Sequence, residues 1–401
     1  MKMQITKTEY NAELLEKWKA DNTTSEKISE ELSNHLNLFN SIFNNTLRVK
    51  NFGIYIKGLL SPLKRKSVEP IALEYMGESG VRTLQNFVTG SNFDDEKIHE
   101  KYQIELSEMI NSANGMLSID PSEFVKKGKN SAGVKRQYCG RLGKVENCQS
   151  VVFAAYAGSN GYGIIDRELY IPKEWYDDEH KTLYSKCGIP DDKEFKTKNE
   201  IALDMINEIT EKKILGIKWF GCDAAFGCDH DFIDSLPKSA YYFVSVPNNE
   251  RIFLPNETSP TAVKTLAGND AFLWGKVGFD GSKGISYSNV KIIRCRSCRT
   301  DNKNAALQHD DVWLYIRRYE NGDTKYFLTN APQNTTPEEL HEAATLRWPI
   351  EQCFEECKSE LGMADFEGRS YNGFMRHLLF VMIAHFFSTS LRISLKKKAF
   401  L

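Results

Sequence analysis

The sequence predicts a mixed α/β protein in which a β-rich segment interrupts an α/β core and a helical segment precedes it. Three observations predict this. Apolar side chains recur at helical intervals up to about residue 112. From residue 115 there are short apolar runs, two of which end in an acid, separated by an amphipathic helix. Between residues 241 and 330 the chain alternates like strands, with Gly and Asn at the turns, and helix then returns at Thr336. The expected divisions are 1–112, 113–240, 241–330 and 331–401.

In the first division Thr23 and Glu26 have capping-box spacing, and Ile28, Leu32, Leu36, Phe39 and Phe43 follow at helical intervals. A second helix is expected over about 95–113. The residues between carry six basic side chains from Arg48 to Lys66 and no acid, with Gly53, Gly58 and Pro62 as breaks. In the second division, Gly115 to Asp120 reads as a buried strand ending in an acid. Residues 151–157 and 162–171 read as two more strands. Residues 197–213 form an amphipathic helix with Ile201, Met205, Ile206 and Ile209 on one side. Residues 214–222 form another buried strand, again followed by an acid, Asp223. The third division holds expected strands at 241–246, 271–279, 290–294, 312–318 and 325–329. The fourth is helical, with interruptions, to about Leu391.

Composition sets the class. Of the 401 residues, 41% are hydrophobic and 26% charged, which excludes a disordered chain. A formal net charge of −2 gives no overall sign of a polyanionic partner, but charge is unevenly distributed. Residues 121–150 hold seven basic side chains against Glu123 and Glu146, and Lys291, Arg294, Arg296 and Arg299 form a further cluster. Such patches on a near-neutral protein suit local phosphate neutralisation, or are solvated faces. Nine cysteines, an odd number without a secretory leader, point to reduced thiols and a soluble cytoplasmic protein. The run 378–387, broken by His385, is too short for a membrane span. Cys295-x-x-Cys298 offers half a zinc site, with Cys222/Cys228 or Cys353/Cys357 as candidate partners; buried thiols are the competing reading.

Aspartates commonly follow strands as turn-formers, so Asp120 and Asp223 alone signify little. The segment 347–362 adds to them. On a helix Glu351 and Lys358 lie about 20° apart, while Ile350, Phe354 and Leu361 form an apolar stripe. Arg347 joins that face if the helix runs back through Pro349; if Pro349 is the first helical residue, Arg347 sits just before the first turn. Glu355 is about 60° from Lys358 and Glu356 about 160° away, which favours Glu351 over both, and Glu356→Ala is expected to keep most activity. The competing reading is a solvated face with i,i+4 pairing.

The spacing Arg347-x3-Glu351-x6-Lys358 resembles the Tyr-Arg-Glu-Lys signature of bacterial insertion-sequence transposases with a DDE core. Further stretches are similar to one branch of that superfamily: Ile119-Asp120, Lys126-Lys127-Gly128, Val134-Lys135-Arg136-Gln137-Tyr138, Asn147-Cys148-Gln149, Leu169-Tyr170-Ile171-Pro172 with Trp175, Thr197-Lys198, and Gly368-Arg369-Ser370-Tyr371. The resemblance runs from about residue 50 to 390. It implies an RNase H-like core with the first Asp ending the first strand, the second ending the fourth, and the Glu on a later helix. It also implies a β-rich insertion between the second Asp and the Glu. Asp120, Asp223 and Glu351 would hold two Mg²⁺ ions, with Mn²⁺ able to substitute, because hard cations prefer carboxylate oxygens. Arg347 and Lys358 would bind phosphates near the scissile bond, and Lys126, Lys127, Lys129, Lys135 and Arg136 the flanking backbone. Trp348 and Tyr326 could stack on an unpaired base, or pack in the core.

The implied activity is cleavage at transposon ends, with their terminal inverted repeats, and joining to target DNA by a homodimer. The alternatives are an RNase H-like nuclease without strand transfer and a DNA-binding regulator that has lost catalysis. Two departures stand out. The signature Tyr falls at Ala344, and only 50 residues follow Glu351, little for the C-terminal dimerisation domain of some relatives.

Overall fold

In a computed structural model, residues 22–281, 284–300 and 305–399 are described. Among the described residues, five helices come first: α1 (Asn22–Asn40), α2 (Thr46–Leu60), α3 (Val68–Met76), α4 (Val81–Thr89) and α5 (Asp95–Ile110). The helical expectation for residues 1–21 lies outside the described residues. Thr23 is already inside α1, so it is not the N-cap expected from its spacing to Glu26. Gly53 and Gly58 do not interrupt α2. A side chain at Gly58 would meet Ile71 Cγ2 at 2.4 Å, so this glycine serves the close approach of α3. Helix α2 stops at Ser61, whose hydroxyl donates to the Gly58 carbonyl, just before Pro62.

One mixed sheet of twelve strands spans the rest of the fold. Strand β1 (Gly115–Val125) is followed by the hairpin strand β2 (Lys135–Cys139), the long β3 (Lys144–Gly158) and β4 (Gly161–Tyr170). Short helix α6 (Lys181–Lys186) leads to α7 (Lys198–Lys212), then β5 (Ile217–Cys222), α8 (Ala224–Gly227), α9 (His230–Ser235) and β6 (Tyr241–Val246). The order β4-β3-β1-β5-β6 has antiparallel pairs at β4/β3 and β3/β1 and parallel pairs at β1/β5 and β5/β6. Helix α7 forms where the sequence places it. Thr197 caps it through a full capping box with Glu200, and Lys213 ends it in the left-handed region at φ 54°.

Beyond β6 come β7 (Arg251–Phe253), β8 (Thr261–Ala262), α10 (Val263–Ala267), β9 (Gly275–Gly281), β10 (Gly284–Thr300), β11 (Ala306–Arg318) and β12 (Thr324–Thr329). The strand expected over 271–279 is displaced to β9, and β7, β8 and α10 carry no sequence pattern long enough to read. The sheet does not break at residue 241. Strand β6 pairs in parallel with β5 on one side and antiparallel with β12 on the other, joining the β-rich stretch to the same sheet.

The chain ends in α11 (Pro337–Leu346), α12 (Pro349–Ser359) and α13 (Tyr371–Ala399). Helix α13 extends past the expected end at Leu391. By length and composition it could cross a membrane, contrary to the sequence estimate, but 83% of its apolar window is buried inside the protein. It is the central core helix, and the N-terminal helices pack on it. Phe380 stacks on Phe87 at 5.8 Å and meets Phe52 and Tyr55 edge-on. Truncating a buried Phe of this kind costs about 3–5 kcal/mol. A second apolar cluster, including Met116, Trp219, Phe243, Tyr315 and Phe327, is covered by Leu340, Ala343 and Ala344 of α11. Ala344, at the position of the signature Tyr, is buried there.

Candidate active site

Strands β1 and β5 run side by side in parallel, with Ile119 opposite Cys222. The next residue of each is an acid, so Asp120 and Asp223 come level on neighbouring strands, about 4.8 Å apart at the backbone. They differ locally. Asp120 is not the last residue of its strand, since β1 continues through Pro121 to Val125. Asp223 does leave its strand, capping α8 by accepting from the backbone N–H of Ala225 at 3.0 Å and Phe226 at 3.3 Å.

Glu351 reaches this pair from the first turn of α12. Pro349 is the first helical residue and Trp348 the N-cap, so Arg347 sits just before the first turn, the second of the two arrangements the sequence allows. From there Arg347 Nη1 donates to Glu351 Oε1 at 3.1 Å and Nε to the carbonyl of Cys222 at 3.4 Å. It therefore ties the exposed glutamate to the end of β5, beside Asp223. Lys358, two turns on, donates to Ser122 Oγ at 2.6 Å. Ser122 shares the β1 face of Asp120.

The charges feel one another. Burial pushes the Asp120 carboxyl up to about 8; Asp223 and Glu351 add to that rise, and Arg347 opposes it. The site thus carries more negative charge than Arg347 offsets, a deficit that a cation relieves. Asp120, Asp223 and Glu351 would offer an ion three carboxylates, a donor set that fits a hard divalent cation.

Trp348 is 44% exposed and lines a pocket of about 330 Å³ with Arg317, Tyr319, Lys325, Arg347 and Glu351. Arg317, Tyr319 and Lys325 are candidates the sequence reading missed. Arg317 and Lys325 are direct cross-strand partners at the end of the β11–β12 hairpin, so period-2 alternation around the Asn321-Gly322 turn was the available signal. Tyr326 is a correction. It is only 7% exposed in β12, within the apolar core, and cannot receive a base.

The basic clusters are also sorted by the fold. Lys126 turns inward and donates to the Phe366 carbonyl at 2.5 Å, against the Phe374 ring; burial lowers its ammonium to about 8. Lys135 pairs with Glu174 at 2.8 Å. Neither matches the expected phosphate role, whereas Lys127, Lys129 and Arg136 are exposed. Lys66 is buried and donates to the carbonyls of Leu59 and Glu360, and Arg65 pairs with Glu367. Lys291 is buried against the carbonyls of Leu266 and Asn269, Arg296 pairs with Asp311 and Arg299 with Asp234.

Glu356 is engaged away from the three acids. Its Oε1 accepts from Tyr162 and Arg392, both at 2.8 Å, and its Oε2 lies 2.7 Å from His385 Nε2. It is a structural acid. Glu355 is exposed.

Cys295 and Cys298 are both buried, and burial raises both thiols. Among the described residues, the ligand atoms of Asp234, His309 and Asp310 fall within 4.8 Å of one another, but all three are exposed and Asp234 already pairs with Arg299 at 2.8 Å.

Residues 37–271 match the family described as DDE superfamily endonuclease, and residues 195–387 the family described as transposase DDE domain. The chain is 24% identical over 348 residues to the probable transposase for insertion sequence element IS701 of Microchaete diplosiphon, covering 83% of this chain and 80% of that one. Among solved structures, the NurA nuclease from Sulfolobus solfataricus aligns over 75% of this chain and 92% of its own at 10% identity. Its TM-score of 0.26 is too low to argue a shared fold. With the first family matched over more than half of its length, the chain belongs to the DDE superfamily endonucleases, as a transposase of an insertion sequence.

Proposed function

We propose that this protein cleaves DNA at transposon ends and joins the freed 3′-hydroxyls to target DNA, with Asp120, Asp223 and Glu351 as ligands of two Mg²⁺ ions that Mn²⁺ can replace. The observation that carries the reading is the meeting of three acids from β1, β5 and α12, with Arg347 bridging the end of β5 and Glu351. The strand order β4-β3-β1-β5-β6 supports an RNase H-like core over 113–240 and 331–401, with 241–330 as the insertion and 1–112 as a helical DNA-binding part.

When bound, the ions activate the attacking oxygen and stabilise the leaving one. The protein supplies position and charge. Asp120 and Asp223 are held level by the β1/β5 register, and the cap hydrogen bonds fix the Asp223 carboxylate. Arg347 and Lys358 flank the acids and hold non-bridging phosphate oxygens during in-line displacement. Trp348 offers an exposed indole beside the cationic pocket for an unpaired base. Synapsis of two ends calls for a homodimer acting in the cytoplasm on nucleoid DNA.

Incubation of the protein with a labelled end duplex tests this. Cleavage and joining should require Mg²⁺ or Mn²⁺, and Ca²⁺ should support binding without cutting. Cleavage undiminished by a chelator would overturn the metal assignment. Cutting without joining would favour a nuclease; binding without cutting in Mg²⁺ would favour a regulator, which the retention of all three acids argues against.

A further inference from the structure

Four exposed large apolar side chains fall within one short stretch: Val125, and Tyr138, Leu142 and Val145 at 63, 42 and 53% exposure. The last three form the tip of the β2–β3 hairpin. Tyr138 stands opposite Val145 and Arg136 opposite Asn147. Strand alternation therefore puts Arg136, Tyr138, Val145 and Asn147 on one face, with Leu142 at the turn. The Asn147 amide donates to the carbonyls of Lys126 at 2.7 Å and Gly128 at 2.8 Å. This seats the exposed Lys127 and Lys129 at the base of the same face. The result is an apolar tip with a cationic base.

The hairpin also has a defined reach. Asp120 is opposite Phe153 on β3, and Val145 lies eight residues further along that strand. At about 3.3 Å per residue, the tip extends up to about 26 Å beyond the acids, less than one turn of B-DNA.

Contiguous exposed apolar side chains beside charge mark contact surfaces. The charge identifies the occupant. Of the acids nearby, Glu146 pairs with Lys144 at 3.2 Å, and Glu123 accepts from Gly140 N and Ser150 Oγ, both at 3.4 Å. Lys127, Lys129 and Arg136 thus dominate, complementing a polyanion better than a second copy of a chain with net charge −2. A two-stranded ribbon is of a width that the major groove admits, where apolar side chains meet thymine methyl groups.

We propose that the β2–β3 hairpin is a DNA-binding arm that lays Tyr138, Leu142 and Val145 in the major groove within one helical turn of the cleavage site, with Arg136, Lys127 and Lys129 on the flanking phosphates. This rests on the transposase reading above. Its test is a Tyr138→Ser/Leu142→Ser/Val145→Ser variant, compared with wild type for folding, end-duplex affinity and salt dependence. A separate protein carrying a photo-crosslinking amino acid at position 142 maps the contact. The triple variant should melt like wild type and bind about tenfold more weakly, at unchanged salt slope, because apolar contacts release no counterions. The crosslink should fall within about ten base pairs of the cleavage site. Unchanged affinity with no DNA crosslink, or a crosslink to a second protein chain instead, would overturn the arm. A wild-type protein that neither binds nor cuts end DNA would instead overturn the transposase reading, and the arm with it.

Discussion

Helix α12 carries acids on two faces, and the two are treated in opposite ways. On one, Glu351 is exposed, with Arg347 as its ion-pair partner, close enough for its charge to add, with that of Asp223, to the rise of the buried Asp120 carboxyl. On the other, Glu356 is locked by Tyr162, Gln352, His385 and Arg392. Burial alone would raise the Glu356 carboxyl, yet the hydrogen bonds and charges of His385 and Arg392 hold it down at about 2. The acid that anchors the helix is over-supplied with partners, and the acids proposed for chemistry are left with negative charge to spare. That contrast separates structural from functional carboxylates where spacing alone does not.

The largest effect expected from this comparison is in Glu351→Ala. Cleavage should fall by a factor on the order of a thousand or more, while melting temperature and end binding hold, because the side chain is exposed. If that variant still cuts and Glu355→Ala does not, the assignment is wrong by one turn. Glu356→Ala should do the reverse. Removing one member of a partly buried ion pair costs about 2–4 kcal/mol, read by urea unfolding, with the folded fraction still cutting. Loss of cleavage at full stability would reverse the two roles.

The pH dependence sharpens the contrast. Glu356 titrates lower folded than at its ordinary 4.5, so its stabilising contribution is present above about 4.5 and lost as pH falls through about 2. The stability gap between wild type and Glu356→Gln should close over that window, and a constant gap would show that the ion pairs are not its source. The smallest effect concerns the basic stretch. Lys127→Gln/Lys129→Gln should flatten the dependence of log affinity on log salt by about two units, whereas Lys135→Gln should leave the slope unchanged. Equal slopes for both variants would erase the distinction between exposed and engaged lysines.

What was legible in the sequence follows local periodicity. Helix α7, strand β6 and the positions of Asp120 and Asp223 came from patterns spanning fewer than twenty residues. Glu351 was legible because Lys358 shares its helical face and Arg347 stands four residues before it. The hairpin at 135–148 was not: its residues read only as part of a basic stretch, and its pairing along β3 makes it a ribbon. The uninterrupted α2 was missed for a similar reason, since Gly58 reads as a break until Ile71 is seen occupying the space of its missing side chain.

By itself, then, the sequence determined which residues could share a face, because helix and strand periods are short-range properties of the backbone. The tertiary structure decided which like residues were already engaged. Lys126 is taken up by Phe366, Lys135 by Glu174, and Glu356 by Tyr162 and Arg392, partners 240, 39, 194 and 36 positions away. Tyr326 and Trp348 were likewise equal as aromatics until packing buried one and left the other at the surface. Engagement depends on which distant groups the fold brings within hydrogen-bond reach and on how much water it excludes around them, and neither is a property of local spacing.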